Sequence, residues 1–453
     1  MKSWQKTIPL PFLALLGFLC LFFLRYFQSE ILKIIMLYAT NLCTICLVIL
    51  YKKSINKYEI GIFFFLCVQL FAAVPTPSDM DSLVSTSYLL SYRYGVSSRS
   101  LIATFVDFFT YDGFISKYFV WNFILSATIF ISFIISVYLG TVIQKAKDDL
   151  KLFVIFLSLL YLSCFTAPAA YFTSNFGRIE IFAFLFMLIL FIIIDKPVVM
   201  WLIPLLSLFV LATHLILLFF YIPFVIIMLL HKIFTRTEKK KQNILLLIIT
   251  ILIISCAFLL YVSFYEKTFV FTDAQSFSKY LSTKTDLNFT EYFIHMIMYG
   301  KLQDHIAGWK DTVGFMYPGN LSILINIPLV FLFIIFWLKC YFNESKRIIK
   351  CFFLLPILTL LFQSLAFFMF FDFGRWMIMV LNVQFMLIFY LIYVKNETVL
   401  LLANKLVPFI NRNAFFIILI FLIMTFLGPV TQIGPGERTM HLVKSFLWFL
   451  QRM

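Results

Sequence analysis

The sequence predicts an all-α, polytopic integral membrane protein. Three observations carry that prediction. Of the 453 residues 63% are hydrophobic, only 13% are charged, and apolar runs of roughly 16 to 25 residues, the length needed to cross a bilayer, recur from end to end. In lipid every backbone N–H and C=O must be satisfied within the chain, so long apolar runs mean helices, whereas a membrane barrel shows short alternating segments. The chain, 1–453, reads as one integral membrane domain of about thirteen transmembrane helices.

The first span is expected at 8–25. The stretch "MKSWQKTIPLPFLALLGFLCLFFLRYF" starts basic, but its apolar part is long and no small-residue cleavage site follows. Spans at 31–50 and 59–74 come next. Cys43 and Cys46 in "NLCTIC" have no histidine or further cysteine nearby, so they read as buried bystander thiols and not as a zinc site or a disulfide. A long outer loop, 75–117, leads to spans at 118–142, 152–171 and 179–195. The following spans, 197–212 and 214–231, are short, which predicts a hairpin around His214 that stops below the outer surface. After 243–264 comes a second long outer loop, 265–318, and then spans at 319–338, 351–371, 376–394 and 414–432. In that second loop Tyr292, Phe293, Met296, Ile297 and Met298 precede Lys301 and Asp304, the pattern of an interfacial amphipathic helix. The C-terminal "HLVKSFLWFLQRM" is similar and too short to span.

The formal net charge of +15 would suggest a nucleic-acid partner in a soluble protein. With the N-terminus placed in the cytoplasm, roughly 21 of the 36 Lys and Arg but only 7 of the 21 Asp and Glu fall on inner segments such as "HKIFTRTEKKKQ" and "KCYFNESKRIIK". The excess therefore reports orientation and contact with membrane lipid, and no nucleic acid is expected.

Polar residues expected near the outer boundary are Asp79, Asp81, Arg93, Arg99, Arg178, Glu180, His214, Asp372 and Arg375. Charged groups at lipid are costly unless paired or hydrated, so a collection of them predicts a water-filled cavity opening outward. Arginine grips phosphate oxygens with two parallel hydrogen bonds, so Arg93, Arg99, Arg178 and Arg375 are candidates for holding a pyrophosphate. The plain alternative pairs Arg178 with Glu180 and Arg375 with Asp372, and lets Arg25 and Arg452 snorkel to headgroups. His214, alone in "LFVLATHLILLFFYIPF", is a candidate base for a sugar hydroxyl, or else simply caps a turn. His295 and His305 read as interfacial, and His231 as cytoplasmic. Asp79 and Asp81 form an Asp-x-Asp that can bind a divalent cation or supply a base, while Asp79 can equally cap a helix starting at Ser82. No organic cofactor is expected, because Walker, dinucleotide-binding, HExxH and nucleophile-elbow motifs are absent. The sequons at Asn288 and Asn320 are of chance frequency.

The order of these residues resembles bacterial polysaccharide polymerases of the Wzy/EpsG type. In that family an early outer arginine is followed by glycine, as in "YRYG" with Arg93. A second arginine opens a span, as in "SNFGRIEIFAFLF" with Arg178, a short basic turn and a histidine-bearing hairpin follow, as with Lys196 and His214, and a late arginine precedes a span, as in "DFGRWMIM" with Arg375. The usual Gly-x-Asp-Tyr continuation is replaced by "VSSRS", and no glutamine follows Arg178. The Asp-x-Asp also resembles GT-C glycosyltransferases, which use polyprenyl-phosphate sugars. The resemblance implies a glycosyltransferase of the bacterial cytoplasmic membrane that joins polyprenyl-pyrophosphate-linked oligosaccharide repeats on its outer face for capsular or surface polysaccharide. It implies a flippase and a chain-length regulator as pathway partners. Aromatic residues near the expected cavity, such as Tyr88, Tyr92, Tyr94 and Trp376, are candidates for stacking on sugar rings. A flippase for lipid-linked oligosaccharide is the competing expectation, and it calls for mid-membrane charges and paired repeats that the sequence does not show.

Overall fold

The computed structural model describes residues 28–52, 54–110, 113–163, 176–196, 198–235, 239–265, 267–299, 318–369 and 373–427, with isolated positions before residue 28. Most of the expected first span, Arg25, Lys301, Asp304, His305, Asp372, Arg452 and the C-terminal segment lie outside the described residues. Among those described the protein is all-helical, with no strand and one isolated bridge.

Helices α1 (Glu30–Lys52) and α2 (Lys57–Ala73) both pack on α5 (Lys117–Lys145), while α3 (Ser82–Ser87) and α4 (Ser100–Phe109) lie in the first long connection. Helix α2 starts at a capping box in which Asn56 accepts from the Glu59 N–H at 2.9 Å and Glu59 accepts from the Asn56 N–H at 3.1 Å. Next come α6 (Asp148–Ser163), α7 (Glu180–Ile193), α8 (Ile203–Thr213), α9 (Leu217–Thr235) and α10 (Lys240–Phe264), with α8 packed on both α7 and α10. The second connection holds α11 (Ala274–Leu281) and α12 (Glu291–Ile294), which runs on as a π-helical turn, His295–Tyr299. Helices α13 (Pro318–Asn343), α14 (Arg347–Phe352), α15 (Leu355–Met369) and α16 (Phe373–Tyr393) return to the bundle, and α17 (Glu397–Arg412) and α18 (Ala414–Leu427) pack on α6.

Seven helical segments among the described residues are long and apolar enough to cross a membrane: α1, α5, α9, α10, Asn326–Asn343, Arg347–Ser364 and α16. The number is eight if α17 and α18, bent by 89°, count as one. This is fewer than the thirteen expected. Helices α2, α7 and α8 have 17, 14 and 11 residues, or about 25, 21 and 17 Å at 1.5 Å per residue, against a hydrocarbon core of about 30 Å. Apolar composition sets a hydropathy window but not where a helix ends. Helix α16 is the axis of the bundle, with 94% of its span buried against 17% for α1 and α10. Helix α17 buries Val399, Leu402 and Ala403 and exposes Lys405 and Arg412, so its right-angle bend to α18 suits a helix lying along an interface where the sequence suggested only a loop.

The long connections are not free loops. Residues 83–91 are all buried, and Ser87 and Thr86 return their hydroxyls to the carbonyls of Leu83 and Ser82, which removes two polar groups from that interior. The two connections also bind each other. Ile115 pairs with Thr285, its N–H donating to the Lys284 carbonyl at 2.8 Å while the Thr285 hydroxyl donates to the Ile115 carbonyl at 2.6 Å. Val270 N–H donates to the Tyr94 carbonyl at 3.1 Å, and Val96 N–H to the Thr268 hydroxyl at 2.9 Å. Tyr94 sits among Phe271, Phe277 and Tyr280 with ring centroids 4.9 to 6.2 Å away. Gly95 has φ +136°, and a Cβ there would strike Phe269, so this crossing needs glycine.

Candidate functional site

At the end of the bundle that carries both connections, four side chains from four segments form one chain of hydrogen bonds. Glu180, the first residue of α7, has no exposed surface. Its Oε1 accepts from Arg375 Nη1 at 2.9 Å and from His214 Nδ1 at 3.1 Å. His214 Nε2 lies 3.1 Å from Arg99 Nε. A guanidinium N–H can only donate, so Nε2 is the acceptor, Nδ1 carries the proton, and the imidazole is neutral with its tautomer set by Glu180.

Local structure explains why these residues meet. Helix α8 stops at Thr213, and His214 takes an extended conformation (φ −162°, ψ 122°) before α9 begins, so its ring leaves the helical stagger and faces α7. The next residue, Leu215, donates its N–H to the Ser98 carbonyl at 3.2 Å, which fixes Arg99 at the start of α4 beside the histidine. Arg375 lies in the first turn of α16, with its guanidinium 5.3 Å from the Trp376 ring centroid. Trp376 stacks on Phe220 at 5.4 Å and lies 6.1 Å from the His214 ring. Arg178 follows Gly177, whose φ of +83° leaves no room for a Cβ beside Val84 and Ile124 and whose carbonyl accepts the Tyr88 hydroxyl at 2.8 Å. Arg178, His214 and Arg375 are 8%, 5% and 4% exposed, and Arg99 is half-buried. Burial pulls the Arg99 guanidinium below its ordinary value, opposed by Glu180 and reinforced by Arg178.

Three guanidinium groups thus gather near one buried carboxylate. Asp372, the other candidate acid, lies outside the described residues. Glu180 Oε2 is buried with no hydrogen-bond partner among the described residues. Chemically such an assembly can take an anion: arginines converge from separate segments, and the neutral histidine has a lone pair held by a donor that an anion can draw away.

Of the candidate residues read from the sequence, the structure brings together Arg99, Arg178, His214 and Arg375. It does not bring Arg93 into this hydrogen-bonded chain. Arg93 is exposed, 6.0 Å from the Tyr94 ring, because the Tyr92–Tyr94 turn inserts Tyr94 into the aromatic cluster and leaves its neighbour outside. Asp81, not Asp79, caps α3, with Oδ1 accepting from the Leu83 and Val84 N–H groups at 2.9 and 3.2 Å. Asp79 is exposed and accepts the Thr76 hydroxyl at 2.6 Å. Both carboxylates thus serve local turns among the described residues, and no group of three or more His, Cys, Asp or Glu converges there. Tyr88, Tyr94 and Trp376 are buried, which leaves Tyr92 as the one of the four suggested stacking aromatics that is exposed. Glu180, which the sequence offers only as a local partner of Arg178 two residues away, is the centre of this hydrogen-bonded chain. The signal available was its place at the start of a span, on the same membrane level as His214 and Arg375. No family model matches this chain, and no curated protein or solved structure matches it either, so the chemistry of the site rests on its own geometry.

Proposed function

We propose that the protein is a membrane glycosyltransferase that polymerises polyprenyl-pyrophosphate-linked oligosaccharide repeats on the outer face of the bacterial cytoplasmic membrane. The observation that carries the reading is the buried chain Arg99–His214–Glu180–Arg375 with Arg178 beside it. The lysine-rich ends of the helices, including Lys52, Lys145, Lys232 and Lys339, lie at the opposite end of these spans, which supports a cytoplasmic N-terminus and an outward-facing site.

In this reading Arg99, Arg178 and Arg375 receive the pyrophosphate. As Arg99 turns to phosphate oxygens, it releases His214 Nε2, so the base becomes available only when the donor is bound. The hydroxyl oxygen of the acceptor sugar forms a bond to C1 of the donor sugar, and its proton passes to Nε2. The bond from C1 to the pyrophosphate oxygen breaks, and its electron pair leaves on polyprenyl pyrophosphate, whose charge the arginines stabilise. Glu180, hydrogen-bonded to Nδ1, stabilises the imidazolium that forms, the orienting role a carboxylate plays beside a catalytic histidine.

The test is made in the cell. Arg99→Gln, Arg178→Ala and Arg375→Ala, each checked for normal amounts in the membrane, should stop polymer formation and leave single lipid-linked repeats on the outer face. Repeats accumulating on the inner face would indicate a flippase, and normal polymer in all three would remove the site assignment.

A further inference from the structure

A groove of about 260 Å³ lies between α8 and α10 beneath the turn at 96–98. Its walls are apolar, with Leu208 and Leu211 on one side and Ala257 and Leu260 on the other, and its roof carries Ser97 and Ser98. Two features separate it from an ordinary gap between helices. First, its polar end adjoins the cationic site: Ser98 precedes Arg99, and the Ser98 carbonyl holds the N–H of Leu215, the neighbour of His214. The Tyr92 hydroxyl, 3.4 Å from the Ala212 carbonyl, ties the roof to α8. Second, its other side opens where α10 is peripheral: Leu252, Leu259, Leu260 and Phe264 are exposed, as is Leu205 of α8. In a bilayer that opening faces hydrocarbon, so a water-soluble ligand has no route in from that side, whereas a lipid chain does.

We infer that this groove seats the head-proximal part of the hydrocarbon chain of the same phosphate-headed lipid whose anion the Arg99–His214–Glu180–Arg375 site receives. The inference rests on the proposed function for the identity of the lipid. The combination of an arginine next to Ser98 at the polar end and an apolar trough open to lipid matches an anionic amphiphile in charge and in polarity order. The volume lies below the range of roughly 300 to 1,000 Å³ that encloses a whole drug-sized ligand, so the groove holds only the first part of a chain and leaves the rest in the bilayer. Because the chain is already in hydrocarbon before it enters, the groove adds little affinity. What it adds is position: it sets how far the phosphate reaches toward His214.

The experiment uses the full chain in phosphatidylcholine vesicles with a polyprenyl pyrophosphate bearing a diazirine in its first isoprene unit. A diazirine-bearing phosphatidylglycerol serves as the control. The prenyl probe should label residues within 208–215 and 257–264, unlabelled polyprenyl pyrophosphate should compete with it, and Ala257→Phe or Leu208→Trp should cut that labelling at least about fivefold while leaving total saturable binding within about twofold. Both substitutions place bulk on a partly exposed surface, so the fold tolerates them, and the retained binding confirms it. Saturable binding with the label elsewhere would overturn the groove and leave the proposed function standing. Equal, uncompeted labelling by phosphatidylglycerol would show ordinary bilayer contact and also overturn it. Absence of any saturable binding would remove both.

Discussion

Breaking the buried pair of Glu180 and Arg375 tests whether the site is one electrostatic unit. Glu180 has no exposed surface and Arg375 almost none, and they meet at 2.9 Å. Removing one partner of such a pair leaves a buried charge without its match and costs about 3–5 kcal/mol, whereas neutral side-chain hydrogen bonds inside membrane proteins average roughly 0.6 kcal/mol. Glu180→Gln and Arg375→Gln should each destabilise the protein by about 3 kcal/mol, and the double substitution by about the same amount rather than twice as much. The coupling of roughly 3 kcal/mol would be read from unfolding of the purified protein in mixed micelles, all four members of the cycle being measured under one condition. Coupling of no more than about 0.5 kcal/mol, the scatter expected of independent sites, would refute the reasoning. In that case the two groups would not face each other as charges, and Glu180 would not be the centre of the site.

Three further outcomes follow from the local geometry. Arg93→Ala should change stability by no more than about 0.5 kcal/mol, as an exposed substitution does, and should leave polymer formation intact in the cellular test in which Arg178→Ala stops it. Asp81→Ala should cost about 1 kcal/mol through loss of the α3 cap, with Asp81→Asn recovering most of it in thermal unfolding, whereas Asp79→Ala should cost nothing measurable. Gly177→Ala should cost more than about 1 kcal/mol, because φ of +83° and the crowding by Val84 and Ile124 add together, and it should expose the segment around Tyr88 to limited proteolysis.

How much of this was legible in the sequence depended on what kind of signal each feature leaves. Arginines and a histidine in an oily chain stand out by cost alone, so Arg99, Arg178, His214 and Arg375 were visible before any geometry. Glu180 was equally visible but read as a local partner of Arg178. Two residues apart at the entrance to a helix point different ways, and that direction decides that Glu180 meets α16 and the His214 turn instead. The family resemblance singles out Arg93, whereas Arg99 in the same polar stretch reads only as one more candidate arginine. What separates them is the burial of Tyr94, which depends on a second connection more than 170 residues later. Among the described residues the seven long apolar helices are fewer than the thirteen spans read from the sequence for a related reason. In α7 and α8 the residues are as apolar as in full spans, but the turn at 194–196 and the extended residue His214 shorten the helices on either side. The docking of the two long connections left no trace in composition, because backbone groups and aromatic rings make it and 20% of this chain is aromatic.

The proposed function requires that the buried cluster take a phosphate-headed lipid. Saturable binding of polyprenyl pyrophosphate to the protein in vesicles, compared with the uncharged polyprenol and repeated with Arg99→Gln, tests it most directly. Each charge-assisted hydrogen bond is worth about 1.5–3 kcal/mol, so the account predicts that Arg99→Gln weakens binding roughly tenfold to a hundredfold and that polyprenol binds weaker still. Equal binding of polyprenol and its pyrophosphate, or unchanged affinity in Arg99→Gln, would contradict it.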